Sequence, residues 1–313
     1  MSRTTWLSHV TVLDAGTSAA ARYCGWLFVQ NGARVLDHGG RPGNQLTEAT
    51  LDFLDTGKER AAGPPVTPDI VLLDAPGPAP SAARLTGVID AYGPEGPRAD
   101  WAADEVTLAA MGGAAAYTVG RDGTPVYGFG LRYQYLAGLY LFTALVAELS
   151  ASRPGSHEVR VSLLETVASV LPYPTTQYAY NGSDSLLEQS GPRFVVACTD
   201  GWVVVYAGLA WTAITRMLER PDLDEDRRFV ELGDRFGHVA ELGLLFDAWG
   251  AGRTVAQALA DGAAHDVATA AVRSPEQVLA DPDLSARGVW HEVRGGGHAP
   301  TIPNLLVTEG VST

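Results

Sequence analysis

The sequence predicts an α/β fold with a parallel sheet, joined to a smaller α+β region. The first observation is a strand–helix–strand pattern, with an apolar strand at residues 10–13, helical periodicity over 18–31 and a second strand at 34–36. Such a unit builds a parallel sheet, because the crossover helix returns the chain to the same edge of the sheet. The second observation is a change of pattern after about residue 183, where hairpin features replace the alternation of strand and helix.

The elements that follow the first unit continue the α/β pattern. In order, these are a strand at 70–73, a proline-rich loop at 75–80, helices at 105–111 and 134–149, a strand at 159–162 and a helix at 163–171. Pro172 and Pro174 are expected to end the last of these helices.

The region after residue 183 has a different organisation. Two apolar strands at 194–198 and 202–206 flank Thr199, Asp200 and Gly201, which predicts an antiparallel hairpin. Helices are predicted at 211–218, 239–249 and 255–261. We therefore predict a large domain over residues 1–185, a small α+β domain over 186–280 and a C-terminal segment over 281–313 that returns to the large domain.

Composition and charge exclude several classes of function. The 313 residues carry 36 acidic and 22 basic side chains, with Lys58 as the single lysine, so a nucleic-acid-binding protein is not expected. The uncharged helical run over 135–147 is shorter than the roughly 20 residues of a membrane span, which predicts a buried helix. Cys24 and Cys198 lie far apart and no apolar signal core opens the chain, so a cytoplasmic location is expected. The histidine spacing does not suggest a metal site.

Three familiar chemistries find little support in the residues. Asp37 follows the first unit as in nicotinamide-binding proteins, but Gly16 is the single glycine where that fingerprint has three. A serine nucleophile lacks its GxSxG elbow, and Ser162 lies in a strand pattern. A Schiff base would require Lys58, whose polar neighbours over residues 55–60 predict a solvated loop lysine.

A carboxylate nucleophile is the remaining candidate. Strand alternation breaks at Leu163 and a helix begins, which places Glu165 in the first helical turn, where the helix dipole favours negative charge. An ionised carboxylate that faces a thioester can attack the carbonyl carbon and hold the acyl group as a mixed anhydride. The alternative is that Glu165 is an ordinary dipole complement or capping partner of its helix.

Several short segments, in order and with matching spacing, resemble the class III CoA-transferase family, which includes formyl-CoA transferase, carnitine CoA-transferase and α-methylacyl-CoA racemase. The opening strand with residues 32–36 is similar to the family's first strand and its "GAxVI" strand. The further matching segments are 92–97, 107–113, 137–140, 161–165, 200–202, 220–223 and 279–288. The chain is thus identified as a divergent and shortened member of this family.

The resemblance implies a Rossmann-like large domain, a smaller inserted domain and an interlocked homodimer that acts on acyl-CoA. In the transferases an aspartate forms the acyl anhydride, and Glu165 stands at that position. The further catalytic candidates are Gln134 and Glu105. The candidate contacts for CoA, chiefly its phosphates, are Arg34, Lys58, Arg60 and Gly77, with Arg41 as another basic residue nearby.

Two alternatives keep the fold but change the function. Ala75 stands where the family often has an arginine for CoA phosphate, and Gln134 replaces a frequent aspartate. These departures fit a CoA-independent reaction on a small molecule of specialised metabolism, such as a cyclisation, isomerisation or elimination, with Asp104, Tyr133 and the candidates above as acid–base groups. They also fit a non-catalytic subunit that stabilises an active homologue. Asp104 and Glu105 have a plainer role open to them, as polar residues at a helix start.

Overall fold

The structure is a computed structural model, and it divides the chain into two compact units. It describes residues 6–38, 40, 46–61, 67–75, 78–120, 123–151, 153–182, 192–208, 210–287, 289–291 and 302–303. The first unit comprises Met1–Pro172 and Asp281–Thr313, and the second comprises Tyr173–Ala280. The first boundary therefore lies at Tyr173 rather than at residue 186, and the return to the first unit lies at residue 281.

The first unit is built on a six-stranded parallel sheet. Its strands are β1 (Thr11–Asp14), β2 (Arg34–Asp37), β3 (Glu59–Arg60), β4 (Ile70–Leu73), β5 (Leu85–Asp90) and β6 (His157–Ser162). Their order in the sheet is β3-β2-β1-β4-β5-β6, and each neighbouring pair is parallel. The chain moves outward from β1 to β3 and then returns to β4, so the order reverses between β1 and β4. This is a doubly wound arrangement, and the predicted α/β fold is confirmed.

The helices of the first unit are α1 (Ala19–Gln30), α2 (Glu48–Asp55), α3 (Glu105–Met111), α4 (Arg132–Ala151), α5 (Leu163–Ser169) and α12 (Pro282–Ala286). Two residues of β10 (Trp290–His291) pair with β11 (Ile302–Pro303). Ser18 caps α1 by accepting from the backbone N–H of Ala21, and Gly32 closes the turn after the helix with a φ of 90°. The glycine expected to end this helix therefore occupies a backbone conformation that other residues avoid.

The core of the first unit lies between the sheet and helices α1 and α4. Val12, Ile70 and Leu85 point from the sheet into a buried cluster with Phe28 and Leu141 of the two helices. α4 is the one helix among the described residues that is long and apolar enough to cross a membrane by length and composition. Ala137, Gly138 and Leu141 of α4 are buried, but 33% of its apolar stretch is buried in all, so the predicted burial of the run at 135–147 holds for one face of the helix.

Helices α1 and α4 approach each other closely because small residues meet at their contact. A Cβ atom on Gly138 would lie 2.5 Å from the carbonyl oxygen of Ala20 and 3.2 Å from the backbone nitrogen of Cys24. Real Cβ atoms do not approach backbone oxygen so closely, so glycine is needed at this crossing.

The second unit packs helices on an antiparallel sheet of three strands, β7 (Arg193–Cys198), β8 (Gly201–Tyr206) and β9 (Thr269–Ala271). Its helices are α6 (Pro172–Asn181), which starts at the boundary, α7 (Trp211–Met217), α8 (Leu232–Gly237), α9 (Val239–Gly250), α10 (Val255–Ala264) and α11 (Pro275–Leu279). The predicted hairpin is confirmed, and Asp200 of its turn accepts from the backbone N–H of Val255 at the start of α10. Phe194, Val203 and Phe246 lie in its apolar core.

Some elements differ from the sequence prediction. α5 ends at Ser169, and Pro172 begins α6 instead of only ending the preceding helix, because proline is tolerated in a first helical turn. Strand β5, the short strand β3 and helix α2 were not predicted. β5 contains Gly87, at which a Cβ atom would meet Leu141 and Leu145 of α4, so its weak strand signal reflects a close approach of helix and sheet.

Candidate functional site

Glu165 lies where strand β6 passes into helix α5. Ser162 ends the strand and caps the helix, and its hydroxyl accepts from the backbone N–H of Glu165 at 3.5 Å. The preceding N–H, of Leu164, donates to the carbonyl oxygen of Ala91 at 3.0 Å. The strand-to-helix transition and the first-turn position of Glu165 are therefore confirmed, and the backbone at this position is held by two hydrogen bonds.

The carboxylate of Glu165 is accessible. Its side chain is exposed in this single chain, and no ion pair or hydrogen bond engages the carboxylate among the residues that the structure describes. An acyl anhydride on such a side chain needs protection from water, because water would hydrolyse it. In the chain taken alone, the exposed face of Glu165 offers no such protection.

Glu105 and Asp104 start helix α3 and have structural partners. Glu105 is buried, and its Oε1 accepts from the backbone N–H of Tyr133 at 2.7 Å, so it caps the start of α4. Burial raises the pKa of Glu105, and the backbone N–H groups of Tyr133 and Gln134 oppose that rise. Asp104 forms a capping box with Thr107, whose hydrogen bonds lower the pKa of Asp104. The helix-start role is thus present for both residues, and an acid–base role for Glu105 stays a prediction.

The three catalytic candidates lie on elements that pack together. Gln134 and Tyr133 are buried in the first turns of α4, directly after the cap that Glu105 provides. Leu108 of α3, Tyr133 of α4 and Val167 of α5 share one apolar cluster. Glu165, Glu105 and Gln134 are therefore carried by three helices that pack against one another.

Lys58 contradicts its prediction as a solvated loop lysine. Its side chain is 1% exposed, and Nζ donates to Oδ2 of Asp14 at 2.7 Å and to the carbonyl oxygen of Arg22 at 3.0 Å. Asp14 is fully buried, and burial raises the pKa of Asp14 while Lys58 opposes the rise. A buried ammonium that neutralises a buried carboxylate is not free to hold a CoA phosphate, so that predicted role of Lys58 is withdrawn.

The Asp14–Lys58 pair belongs to a wider network at the carboxyl ends of β1 and β2. Arg22 of α1 donates to Oδ1 of Asp55 at 2.6 Å and lies 3.9 Å from Oδ1 of Asp37, the last residue of β2. Asp37 occupies the sequence position of the acidic residue in nicotinamide-binding proteins, and here it lies near the guanidinium group of Arg22. The network depends on Gly25, where a Cβ atom would lie 2.6 Å from Oδ2 of Asp14.

Two other predicted phosphate contacts, Arg34 and Arg60, do not lie beside Glu165. Arg34 begins β2, at the amino edge of the sheet, and pairs with Glu59 through bonds of 2.9 and 3.0 Å. Arg60 is exposed at the end of β3. Strands lie about 4.8 Å apart, so β2 lies about 19 Å from β6 across the sheet. Gly77, like Arg41, lies outside the described residues.

Asp90 and Asp74 were not among the site residues predicted from the sequence. Asp90 ends β5 beside Ser162, and its Oδ1 accepts from the backbone N–H of Gly93 at 2.5 Å while its Oδ2 is buried without a partner in the described part of the chain. Asp74 follows β4 and contacts the start of α1. A signal was present, since β1, β2 and β5 end on aspartate and β4 is followed by one, but the failure to predict β5 hid the pattern.

The fold and site define a doubly wound α/β protein with a second α+β unit and an accessible carboxylate at a strand-to-helix transition. The profile of CoA-transferase family III matches residues 86–310. The chain belongs to CoA-transferase family III.

Several known proteins are similar to this chain in sequence or in fold. The "Probable CoA-transferase Rv1866" of Mycobacterium tuberculosis is 26% identical over 212 residues, which are 63% of this chain and 26% of that protein, so the chain spans about a quarter of its length. Among solved structures, Rv3272 from M. tuberculosis has a TM-score of 0.78 at 21% identity, with 99% of this chain and 94% of that one covered. A CAIB/BAIF family protein from Brucella suis has a TM-score of 0.77 at 17% identity, with 96% and 95% covered. These structural likenesses bear on the fold.

Proposed function

We propose that this protein is an enzyme that moves an acyl group between a CoA thioester and a carboxylic acid, with Glu165 as its nucleophile. The observation that supports this is the contrast among the predicted acidic candidates. Glu105 is buried and engaged as a helix cap, whereas the carboxylate of Glu165 is accessible on a backbone that Ser162 and Ala91 hold in place. Family membership supplies the acyl-CoA class of substrate.

The chemical step requires only the carboxylate and the thioester. An oxygen of Glu165 forms a bond to the thioester carbonyl carbon, the carbon–sulfur bond breaks, and its electron pair leaves on the CoA thiolate. The thiolate then attacks the Glu165 carbonyl carbon of the resulting mixed anhydride, which releases the donor acid and leaves a Glu165–CoA thioester. The acceptor carboxylate attacks that thioester and expels the thiolate, and the thiolate attacks the acceptor's carbonyl carbon in the second anhydride. This last step forms the new acyl-CoA and restores the Glu165 carboxylate.

We further propose that the active form is the interlocked homodimer of the family. Two features support it. Glu165 is exposed in one chain, although the anhydride needs a site without water. The outer side of α4 also presents Leu139 and Tyr140, which are 41% and 38% exposed, and Phe129 just before that helix is 88% exposed. Leu139 and Tyr140 are adjacent in the helix, and neighbouring apolar side chains that are exposed in one chain are typical of a surface that a partner covers.

The test is to trap the anhydride. The protein is incubated with acyl-CoAs that carry short, branched and dicarboxylic acyl groups, and hydroxylamine is added to convert an anhydride at Glu165 into a hydroxamate. We expect a hydroxamate on the Glu165 side chain, located by peptide mass spectrometry, and CoA release above the uncatalysed background in the wild type, and neither in Glu165→Ala or Glu165→Gln. Glu276→Gln is the matched control, because Glu276 is an exposed first-turn glutamate of α11.

Glu165→Asp tests how far turnover depends on the position of the carboxylate oxygens at residue 165. Removal of one methylene withdraws the oxygens by roughly one bond length, about 1.5 Å, which changes the approach to the carbonyl carbon. Turnover that is unchanged in Glu165→Ala, with no hydroxamate in the wild type, would eliminate Glu165 as the nucleophile.

A second candidate is a CoA-independent reaction of the same fold on a small molecule. It is favoured by one observation: Lys58 is consumed by Asp14 and Arg34 by Glu59, so two predicted phosphate contacts are already paired. This candidate predicts no heat of binding when millimolar CoA is titrated into the protein. Micromolar binding of CoA would decide for the first candidate.

A further inference from the structure

The carboxyl ends of β1 and β4 form the place where a doubly wound sheet commonly binds its ligand. The strand order reverses between these two strands, and helix α1 starts just beyond β1. The N-terminus of a helix presents backbone N–H groups and a positive dipole end, which is why phosphate groups are often bound there. In this chain the position is already occupied by a side chain of the protein.

Asp74, the residue that follows β4, places its carboxylate at the start of α1. The backbone N–H of Thr17 and the Thr17 hydroxyl both donate to its Oδ2, the hydroxyl at 2.7 Å. The backbone N–H of Ser18, the N-cap, lies 3.0 Å from Oδ2 and 3.1 Å from Oδ1. Two backbone N–H groups and one hydroxyl that converge on two anionic oxygens reproduce the contacts of a bound phosphate.

The surroundings leave little room for a second anion. α1 has no acidic residue in its own first turn, so Asp74 supplies the negative charge that complements the helix dipole. A Cβ atom on Gly16 would lie 3.2 Å from Oδ1 of Asp74 and would collide with the side chain of Ala21. The loop between β1 and α1 is therefore packed directly on the Asp74 carboxylate.

The nearby charges also disfavour a polyanion. Among the described residues near these strand ends, four carboxylates, of Asp14, Asp37, Asp55 and Asp74, lie with the cations Arg22 and Lys58, and Arg60 is exposed farther out at the end of β3. Arg22 and Lys58 are both engaged by the first three carboxylates, so the balance of these charges at the start of α1 is negative.

We propose that Asp74 is a specificity-determining residue that takes the place of a substrate phosphate at the start of α1. The part of a substrate that reaches the ends of β1 and β4 is then uncharged or cationic. A CoA thioester, if it is the substrate, places its phosphates elsewhere. This inference does not require Glu165 to be the nucleophile.

The experiment removes the Asp74 carboxylate and measures whether an added anion then binds at the start of α1. Asp74→Ser removes the carboxylate and leaves the donors of Thr17 and Ser18 unpaired, and Asp74→Asn removes the charge at nearly constant volume. The matched control is Asp69→Ser, because Asp69 lies at the other end of β4, is also half-buried and also accepts a backbone N–H, that of Thr11 at 2.8 Å. Inorganic phosphate and ADP are titrated into each protein by calorimetry.

We expect phosphate and ADP to bind Asp74→Ser at least about tenfold more tightly than the wild type, which corresponds to about 1.4 kcal/mol. Asp74→Asn should gain less, and Asp69→Ser should match the wild type. Amide hydrogen exchange gives a second measurement: the Thr17 and Ser18 amides should exchange faster in Asp74→Ser, and phosphate should slow them again.

Two results would overturn the proposal. One is phosphate binding in the wild type as tight as in Asp74→Ser, and the other is a Ser variant no tighter than Asp69→Ser. If Asp74→Ser does not fold, Asp74→Asn decides by the same comparison. Because hydroxamate trapping at Glu165 is read separately, failure of the proposed transferase reaction and failure of this inference are distinguishable.

Discussion

Replacement of Lys58 by methionine tests the buried ion pair beneath the carboxyl edge of the sheet. The Lys58 and Asp14 side chains are 1% and 0% exposed, and 2.7 Å separates Nζ from Oδ2. With an effective dielectric constant of about 20, this separation gives an attraction of about 6 kcal/mol before desolvation is counted. Removal of one partner leaves a buried carboxylate uncompensated, which typically costs about 3–5 kcal/mol. We therefore expect Lys58→Met to lose about that much unfolding free energy at neutral pH.

The assay is equilibrium unfolding in urea followed by circular dichroism. Arg34→Met is the matched control, because Arg34 pairs with Glu59 on the neighbouring strand with both side chains about half exposed. An exposed pair contributes about 0–1 kcal/mol, so the control should unfold close to the wild type. The double variant Asp14→Asn/Lys58→Met should recover much of the loss, because no buried charge is then left without its partner.

The pH dependence gives a second measurement of the same pair. Burial raises the pKa of Asp14 in the folded protein above the unfolded value of 3.8. The contribution of Asp14 to the unfolding free energy is therefore full below pH 3.8 and declines as the pH rises through the folded pKa. Loss of Lys58 removes the charge that opposes this rise. The deficit of Lys58→Met should therefore be larger at about pH 7 than at about pH 4. A deficit no larger than that of Arg34→Met at both pH values would refute the burial of this pair.

Two further substitutions test the packing and capping of the first unit. Glu105→Gln keeps an oxygen that accepts from the N–H of Tyr133 but removes a carboxylate whose pKa is raised by burial. The unfolding free energy of the variant relative to the wild type should therefore increase from about pH 4 to about pH 7 in urea titrations. A difference that does not change with pH would contradict this. Gly138→Ala places a methyl group 2.5 Å from the Ala20 carbonyl and should cost about 1–3 kcal/mol, whereas Gly233→Ala, with no neighbour within 4 Å, should be neutral or stabilise by up to about 1 kcal/mol. Equal thermal shifts in the two alanine variants would exclude the close α1–α4 contact.

Local patterns determined much of the first unit. The strand at 70–73 and the helix at 105–111 have the predicted bounds, because a short apolar run and a capped amphipathic segment carry their own start and stop signals. The position of Glu165 in a first helical turn followed from the break in strand alternation at Leu163. The α/β class followed in the same way from one strand–helix–strand unit.

Local sequence patterns did not predict which partners the charged residues Lys58 and Glu105 have. The polar neighbours of Lys58 predicted a solvated loop, yet the lysine turns inward because Asp14, 44 positions away in the sequence, needs a buried cation. Glu105 looked like a first-turn residue of its own helix, and it also caps the start of α4, which the chain reaches 28 positions later. Partners so distant in sequence meet only when the sheet is assembled, so sequence spacing does not reveal them.

From its sequence alone, this protein is an acidic α/β chain with family III segments and a glutamate at a strand-to-helix transition, because periodicity, caps and short motifs are local properties. Tertiary structure decided which charges remain available to a ligand. Parallel strands bring their carboxyl ends to one edge of the sheet, where Lys58 and Arg22 form ion pairs with Asp14, Asp37 and Asp55. Glu165 follows β6, which is the last strand at the other end of the same sheet.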